Sequence, residues 1–173
     1  MDIQKLLAVL MLCCASTSIA ATRIAVLDFE LNDITSLPNV PSELQRTASM
    51  APLLLDALKR IGDYQSILIP FAVQKSANGG YGYLFRFLDE AAKLGEQQQA
   101  DWLVIGQHSK PSFLFSQLRV YLIDVKNKKA VDRYIIELKG NHEKVTRRSI
   151  DSLAKKIQAT IIGHDNKPML QSE

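Results

Sequence analysis

The spacing of apolar side chains along this chain switches repeatedly between the two-residue period of strands and the longer period of helices. Arg23 to Glu30 (RIAVLDFE) is apolar on both faces through Leu27, the pattern of a central parallel strand covered by helices on both sides. Leu31 to Glu43 contains Pro38 and Pro41 with little periodicity, which predicts a loop. From Leu44 to Ile61, the residues Leu54, Ala57, Leu58 and Ile61 share one helical face, and Gly62 is a natural stop. Pro52 must then lie in or near a first turn, or kink the helix. Tyr64 to Pro70 (YQSILIP) reads as a second strand and Ala72 to Tyr83 (AVQKSANGGYGY) as a glycine-containing loop. Leu84 to Gln98 then reads as a helix with Leu84, Phe87, Leu88, Ala91 and Leu94 on one face. Trp102 to Gln107 (WLVIGQ) is a third buried strand. Phe113 to Val125 and Ala130 to Lys139 form a strand pair turned by Lys126 to Lys129, with Tyr134, Ile136 and Leu138 alternating inward. A last helix, Glu143 to Ile162, buries Ile150, Leu153, Ala154, Ile157 and Ile161 and is closed by Gly163. His164 to Glu173 reads as a polar tail.

This β-α-β-α-β-β-β-α order, with short connections and right-handed crossovers, predicts one α/β domain over residues 21–163. The expected sheet is mixed and five-stranded, in order 2-1-3-4-5, with helices packed on it. Its first three strands are expected to be parallel and its last two an antiparallel meander. Leu54, Leu58, Leu88, Trp102, Ile105, Leu153 and Ile157 are expected in one core.

The first 20 residues belong to a different pattern. One lysine precedes an unbroken apolar run, Leu6 to Cys14, which passes into the small residues Ala15 to Ser18; these are the three regions of a signal peptide. Ser18 and Ala20 supply the small side chains that signal peptidase needs, so the mature chain is expected to start at Ala21, with Ala21 as the alternative last residue removed. A membrane-spanning helix needs roughly 20 apolar residues, and neither this run nor any later segment reaches that length. Lipidation at Cys13 or Cys14 is disfavoured, because the preceding residue is Leu12 or Cys13 and not a small one. Both cysteines leave with the leader, which removes disulfides, thiol nucleophiles and thiolate metal ligands from the mature chain. The leader also takes one Lys and one Asp, so the net charge stays +3, too mild to argue for nucleic acid.

Candidate chemistry is sparse. Asp28, Glu30 and Asp33 stand at the end of the first strand, where open α/β sheets place ligands, but three acids spread over a strand end are a thin cation set. His108, His142 and His164 are too scattered for a metal motif. No G-x-S-x-G elbow or other nucleophile signature occurs. Asn78 to Tyr83 (NGGYGY) lacks the lysine and spacing of a phosphate loop, although Tyr81 and Tyr83 put aromatic, polar-tipped side chains on it. Lys144, Arg147, Arg148, Lys155 and Lys156 read as the solvated face of the last helix. No enzyme, no cofactor and no metal site is expected from these residues.

RIAVLDFELND, the helix ending LLLDALKRIGDY, ADWLVIGQ and the strand ending ELKGN together resemble a family of exported bacterial proteins known only as a domain of unknown function. More distantly, the layout is similar to the N-terminal domain of the Tol system's periplasmic propeller protein. It also resembles envelope lipoproteins of the curli-secretion and penicillin-binding-protein-activator kind. The resemblance implies a periplasmic, non-catalytic module that binds an envelope protein. The alternatives are a carrier or sensor of a small ligand at the strand ends and a hydrolase with an unrecognised site. If strands one and three are adjacent, the loops leaving their C-terminal ends share one edge with the tyrosine loop, so Asp33, Tyr81, Tyr83 and His108 are expected to border the functional surface. Intact-mass analysis of the exported chain should show Ala21 as its first residue. A mass that retains residues 1–20, or an acyl addition at Cys13 or Cys14, contradicts the leader reading.

Overall fold

The computed structural model describes residues 21–139 and 142–166, except for the His142 side chain. The expected leader with its cleavage at Ala20, and the residues beyond Asn166, lie outside the described residues. The elements run in the order β1 (Thr22–Val26), β2 (Glu30–Asp33), α1 (Pro41–Ala48), α2 (Met50–Ile61), β3 (Tyr64–Ile67), α3 (Phe71–Ala77), α4 (Tyr83–Arg86), α5 (Leu88–Gln97), β4 (Trp102–Lys110), β5 (Ser116–Asp124), β6 (Lys129–Leu138) and α6 (His142–Asp165).

The sheet order is β3-β1-β4-β5-β6, with β2 also beside β4. The strands β3, β1 and β4 are parallel, and β5 and β6 fold back antiparallel. For the five strands legible in the sequence, this is the expected order. The sixth strand is a correction: Glu30–Asp33, expected as the start of a loop, pairs parallel with Gln107–Lys110. Nothing in ELND itself asks for a strand. Trp102–Lys110 runs three residues further than its apolar pattern, and β1 stops at Val26, so the second half of β4 would have an unpaired edge without β2.

Two expected helices are each split. The first becomes α1 and α2, because Pro52 has no N–H to donate and its ring crowds the preceding turn; the break falls at Ser49. The second becomes α4 and α5 around Phe87, whose φ and ψ of −106° and 80° are not helical. Part of the expected glycine loop is also helical, as α3 and the start of α4. The last helix passes through Gly163 to Asp165, so His164 is helical and not part of a tail.

The single core expected for the sheet is two cores. Trp102 and Val104 point with Leu118, Val120 and Leu122 toward α2 and α6, where Leu54, Leu58, Leu153 and Ile157 pack. Leu103 and Ile105 point the other way, toward Leu84, Phe85 and Leu94, with Leu88 at the margin. Alternation along a strand buried on both faces makes this division unavoidable. Between β1 and β2 the chain bulges at Asp28 and Phe29, and the buried Phe29 ring packs against Gly106 of β4. A Cβ at position 106 would overlap that ring. Gly106→Ala is therefore expected to cost about 1–3 kcal/mol in denaturant titration, the usual range for overpacking. A variant of unchanged stability would mean that Phe29 does not seal this crossing.

Candidate functional site

The C-terminal half of β4 reads Gln107-His108-Ser109-Lys110, and all four residues are buried. Polar groups so placed need partners. On one face α1 supplies them, and to do so it is turned inside out: Glu43, Arg46 and Thr47 face inward at i, i+3 and i+4, whereas Leu44 faces solvent. Lys110 donates from Nζ to Glu43 Oε1 at 2.8 Å. Arg46 Nε donates to Thr146 Oγ1 of α6 at 2.8 Å, and Arg46 Nη1 lies 3.6 Å from Glu43 Oε2. The Arg46 Nη2 and His108 Nε2 atoms are buried with no hydrogen-bond partner among the described residues.

The tautomer of His108 follows from its neighbour. Thr47 Oγ1 donates its one proton to the carbonyl of Glu43 at 2.7 Å, so His108 Nδ1, 2.8 Å away, must be the donor in their contact. His108 Nε2 is then a bare lone pair facing Glu43 Oε2 at 4.0 Å. Burial, reinforced by the Arg46 charge, pushes the His108 pKa down to about 4. For Glu43, burial pushes upward, but the hydrogen bond and charge of Lys110 outweigh it and hold the carboxyl below its usual value. Thr47 and His108 have the separation of a nucleophile and its base. Both are sealed beneath α1, at 3% and 0% exposure, and the hydroxyl proton is already committed. The pair therefore locks the helix and offers no attack on a substrate.

On the opposite face the acceptor is Glu30. Its Oε1 accepts from Asn78 Nδ2 at 2.7 Å, and its Oε2 accepts from the Gly82 N–H at 2.8 Å and from Gln107 Nε2 at 3.4 Å. Gly82 sits at φ 68°, a left-handed geometry that glycine adopts without strain. The glycine loop thus aims its N–H at the chain's own carboxylate. Tyr81 lies next to it, half-exposed, with its hydroxyl pushed up to about 12 by burial and by the Glu30 charge. Tyr83 is turned further in, its ring 4.7 Å from that of Phe87.

The four residues expected to border one surface therefore divide between the two faces. Asp33 and His108 lie on the α1 side and Tyr81 and Tyr83 on the other, although all four sit at the same end of the sheet. Asp33 accepts from the Thr35 N–H and hydroxyl at 3.0 and 2.7 Å and from the Asn39 N–H at 3.3 Å, which shapes the loop after β2. Against the upward push of burial, these bonds hold its carboxyl below the usual range. Asp28 is exposed, and its backbone, not its carboxylate, is held by Gln74 of α3. Asp28, Glu30 and Asp33, a thin cation set by their spacing, have separate partners, and among the described residues no group of three His, Cys, Asp or Glu side chains is placed to hold a metal ion. Sequence reasoning missed Glu43, Arg46, Thr47 and Lys110. The available signal was the helical spacing of Glu43, Arg46 and Thr47 beside a single apolar Leu44.

These buried charges make stability depend on pH. His108 is neutral in the fold down to about pH 4 but takes up a proton near 6.5 when unfolded, so stability is full above 6.5 and falls as the pH drops toward 4. Glu43 and Asp33, with depressed pKa values, lose their contributions in the same direction as acid protonates them. The groups facing His108 are Glu43 and Arg46 of α1, Lys110 of β4 and Asp33 of β2. Melting temperature should be flat above neutrality and fall on acidification, the histidine part amounting to at most about 3 kcal/mol. His108→Gln should flatten the fall between pH 6.5 and 5, and an unchanged profile in that variant would contradict the assignment.

The family model described as "Protein of unknown function (DUF2380)" matches residues 22–157. In fold the chain is similar to the PelC dodecamer from Paraburkholderia phytofirmans, at 15% identity over 80% of this chain and 88% of that chain, with a TM-score of 0.54. It is also similar to TolB from Acinetobacter baumannii, at 14% identity over 83% of this chain and 29% of that one, with a TM-score of 0.50. The LpoB C-terminal domain from Salmonella enterica matches at 14% identity over 79% of this chain and 95% of that one, with a TM-score of 0.48. No curated protein matches the chain.

Proposed function

We propose, from the premise that the chain belongs to this family of unknown function, that it is an exported, non-catalytic envelope module that binds a protein partner. The observation that supports this reading is the apolar surface of two adjoining loops at the polar end of the sheet. Ile34 and Leu37 follow β2 and are 70% and 65% exposed; Phe113 and Leu114 follow β4 and are 60% and 95% exposed. The loops are held together by the Ile34 N–H, which donates to the Lys110 carbonyl at 3.2 Å. Leu44, on the outward face of the inverted helix, extends the same edge. Large apolar side chains on loops anchored to a rigid sheet are the usual form of a protein-recognition surface.

In this reading Asp33 positions the Ile34–Leu37 loop, His108 fixes α1 from below, and Tyr81 and Tyr83 flank the edge from the other face. At the apolar edge the small-ligand alternative is less well supported: the cavity there, bordered by Glu43, Arg46, Lys110 and Phe113, is about 180 Å³, whereas pockets for drug-sized ligands run to roughly 300–1,000 Å³. The hydrolase alternative gains nothing from the Thr47–His108 pair, which is buried beneath α1. The periplasmic address rests on the leader and on the absence of cysteine after it. Among the described residues no helix is long and apolar enough to cross a membrane.

Crosslinking in the native envelope, followed by reconstitution with the purified protein identified, tests the reading. A Phe113→Ser, Leu114→Ser variant should keep its melting temperature and bind that protein at least about tenfold more weakly. Undiminished binding would overturn the reading. Crosslinks between copies of this chain alone would replace the foreign partner with self-assembly.

A further inference from the structure

We propose that the open face of the sheet beside α4 is a second binding site, which grips an acidic segment of the protein partner. The inference rests on the partner-binding reading but on different residues. The strands β5 and β6 pack against α6 on one face, and on the other α5 packs at the end that carries Ile123 and Val125. On the other face the cross-strand pairs Tyr121–Arg133 and Arg119–Ile135 stand side by side, and Ile135 is 52% exposed.

The cations on this face are held but not neutralised. The Arg119 guanidinium lies 5.7 Å from the Phe85 ring centroid, and that of Arg133 lies 5.8 Å from the Tyr121 centroid. The two rings themselves lie 4.9 Å apart, tilted by 50° to each other. Arg86 adds a third guanidinium, bonded only to the Tyr81 carbonyl at 3.4 Å. Among the described residues, none of the three arginines has a carboxylate partner. The acids nearby are engaged elsewhere, Glu30 by Asn78 and Gly82 and Glu137 by Lys139. Between α4 and the strands runs a groove of about 400 Å³, bordered by Tyr81, Phe85, Arg86, Gln107, Arg119 and Tyr121.

An arginine lying on an aromatic ring has already given up much of its side-chain freedom, so a bidentate bond to a carboxylate costs it little further entropy. The rings and exposed Ile135 lie between the charges, which suits a chain that alternates acidic and apolar side chains. A phosphate backbone has no apolar groups to place there, and a sugar ring, although its C–H face can stack on an aromatic ring, has no apolar side chain to set against Ile135. The ligand that complements both features is an acidic polypeptide.

The mature full-length protein can be titrated with a fluorescein-labelled peptide of alternating Glu and Leu, followed by anisotropy, with a Lys–Leu peptide and an oligogalacturonate as controls. The Glu peptide should bind, the Lys peptide should not, and rising salt should weaken the complex. Arg119→Gln with Arg133→Gln should weaken it by about tenfold or more while leaving the melting temperature unchanged, and the Phe113→Ser, Leu114→Ser variant should bind the peptide normally. Peptide binding that survives the arginine changes, or tighter binding of the oligogalacturonate, would overturn the proposal. Partner binding undiminished by the Phe113→Ser, Leu114→Ser changes, with the peptide still held, would overturn the earlier reading alone; no peptide binding beside intact loop-dependent binding would overturn this one alone.

Discussion

One strand is buried on both faces along all nine of its residues, and its last four residues are polar. An apolar strand in that place would ask only for apolar neighbours. The sequence Gln107 to Lys110 asks instead for a donor or acceptor at each position, because a buried polar group left without one costs about 1–3 kcal/mol. The features that distinguish this end of the molecule follow from that demand. The chain returns as β2 to pair the exposed backbone edge. Glu30 reaches over to Gln107 and the glycine loop, and α1 presents Glu43, Arg46 and Thr47 where a helix would ordinarily present leucines.

A buried ion pair such as Lys110–Glu43 is a poor source of stability, since the desolvation of both groups offsets much of their attraction. Its effect here is to specify one arrangement. Glu43 engages Lys110 and approaches Arg46, Arg46 reaches Thr146 of α6, and Thr47 holds His108, so α1 has one way to sit. The cost of inverting α1 is that Leu44 is left in water. The loops on either side, anchored at Asp33 and at the Lys110 carbonyl, likewise leave Ile34, Leu37, Phe113 and Leu114 outside. A locked polar base and an apolar rim thus have a common cause.

The sheet also separates what lies at this end into two surfaces. On the α1 side Glu43, Arg46 and Lys110 are buried together, and the large side chains left exposed, Ile34, Leu37, Leu44, Phe113 and Leu114, are apolar. On the α4 side the arginines are unpaired and laid on aromatic rings. The two surfaces differ in chemistry because different helices cover them: α6 packs against Leu118, Val120, Leu122 and Tyr134 on one face, whereas on the other α5 packs at Ile123 and Val125 and leaves Ile135 exposed.

The apolar periods of Arg23–Leu27, Trp102–Gln107 and the β5–β6 pair, with the helical spacing of Leu54–Ile61 and Ile150–Ile161, were enough to determine the class of fold and the order of five strands. Those features are local and repeat along the chain, so the sequence carries them openly. It also placed Asp33, Tyr81, Tyr83 and His108 at one end of the sheet, because parallel neighbours open on the same edge. Only the tertiary structure decided that these residues fall on opposite faces, that ELND becomes a strand and that α1 turns its polar side inward. Each of those outcomes answers a need that lies elsewhere in the chain, in the unpaired edge and buried polar groups of β4, and a segment's own periodicity carries no record of what another segment must have satisfied.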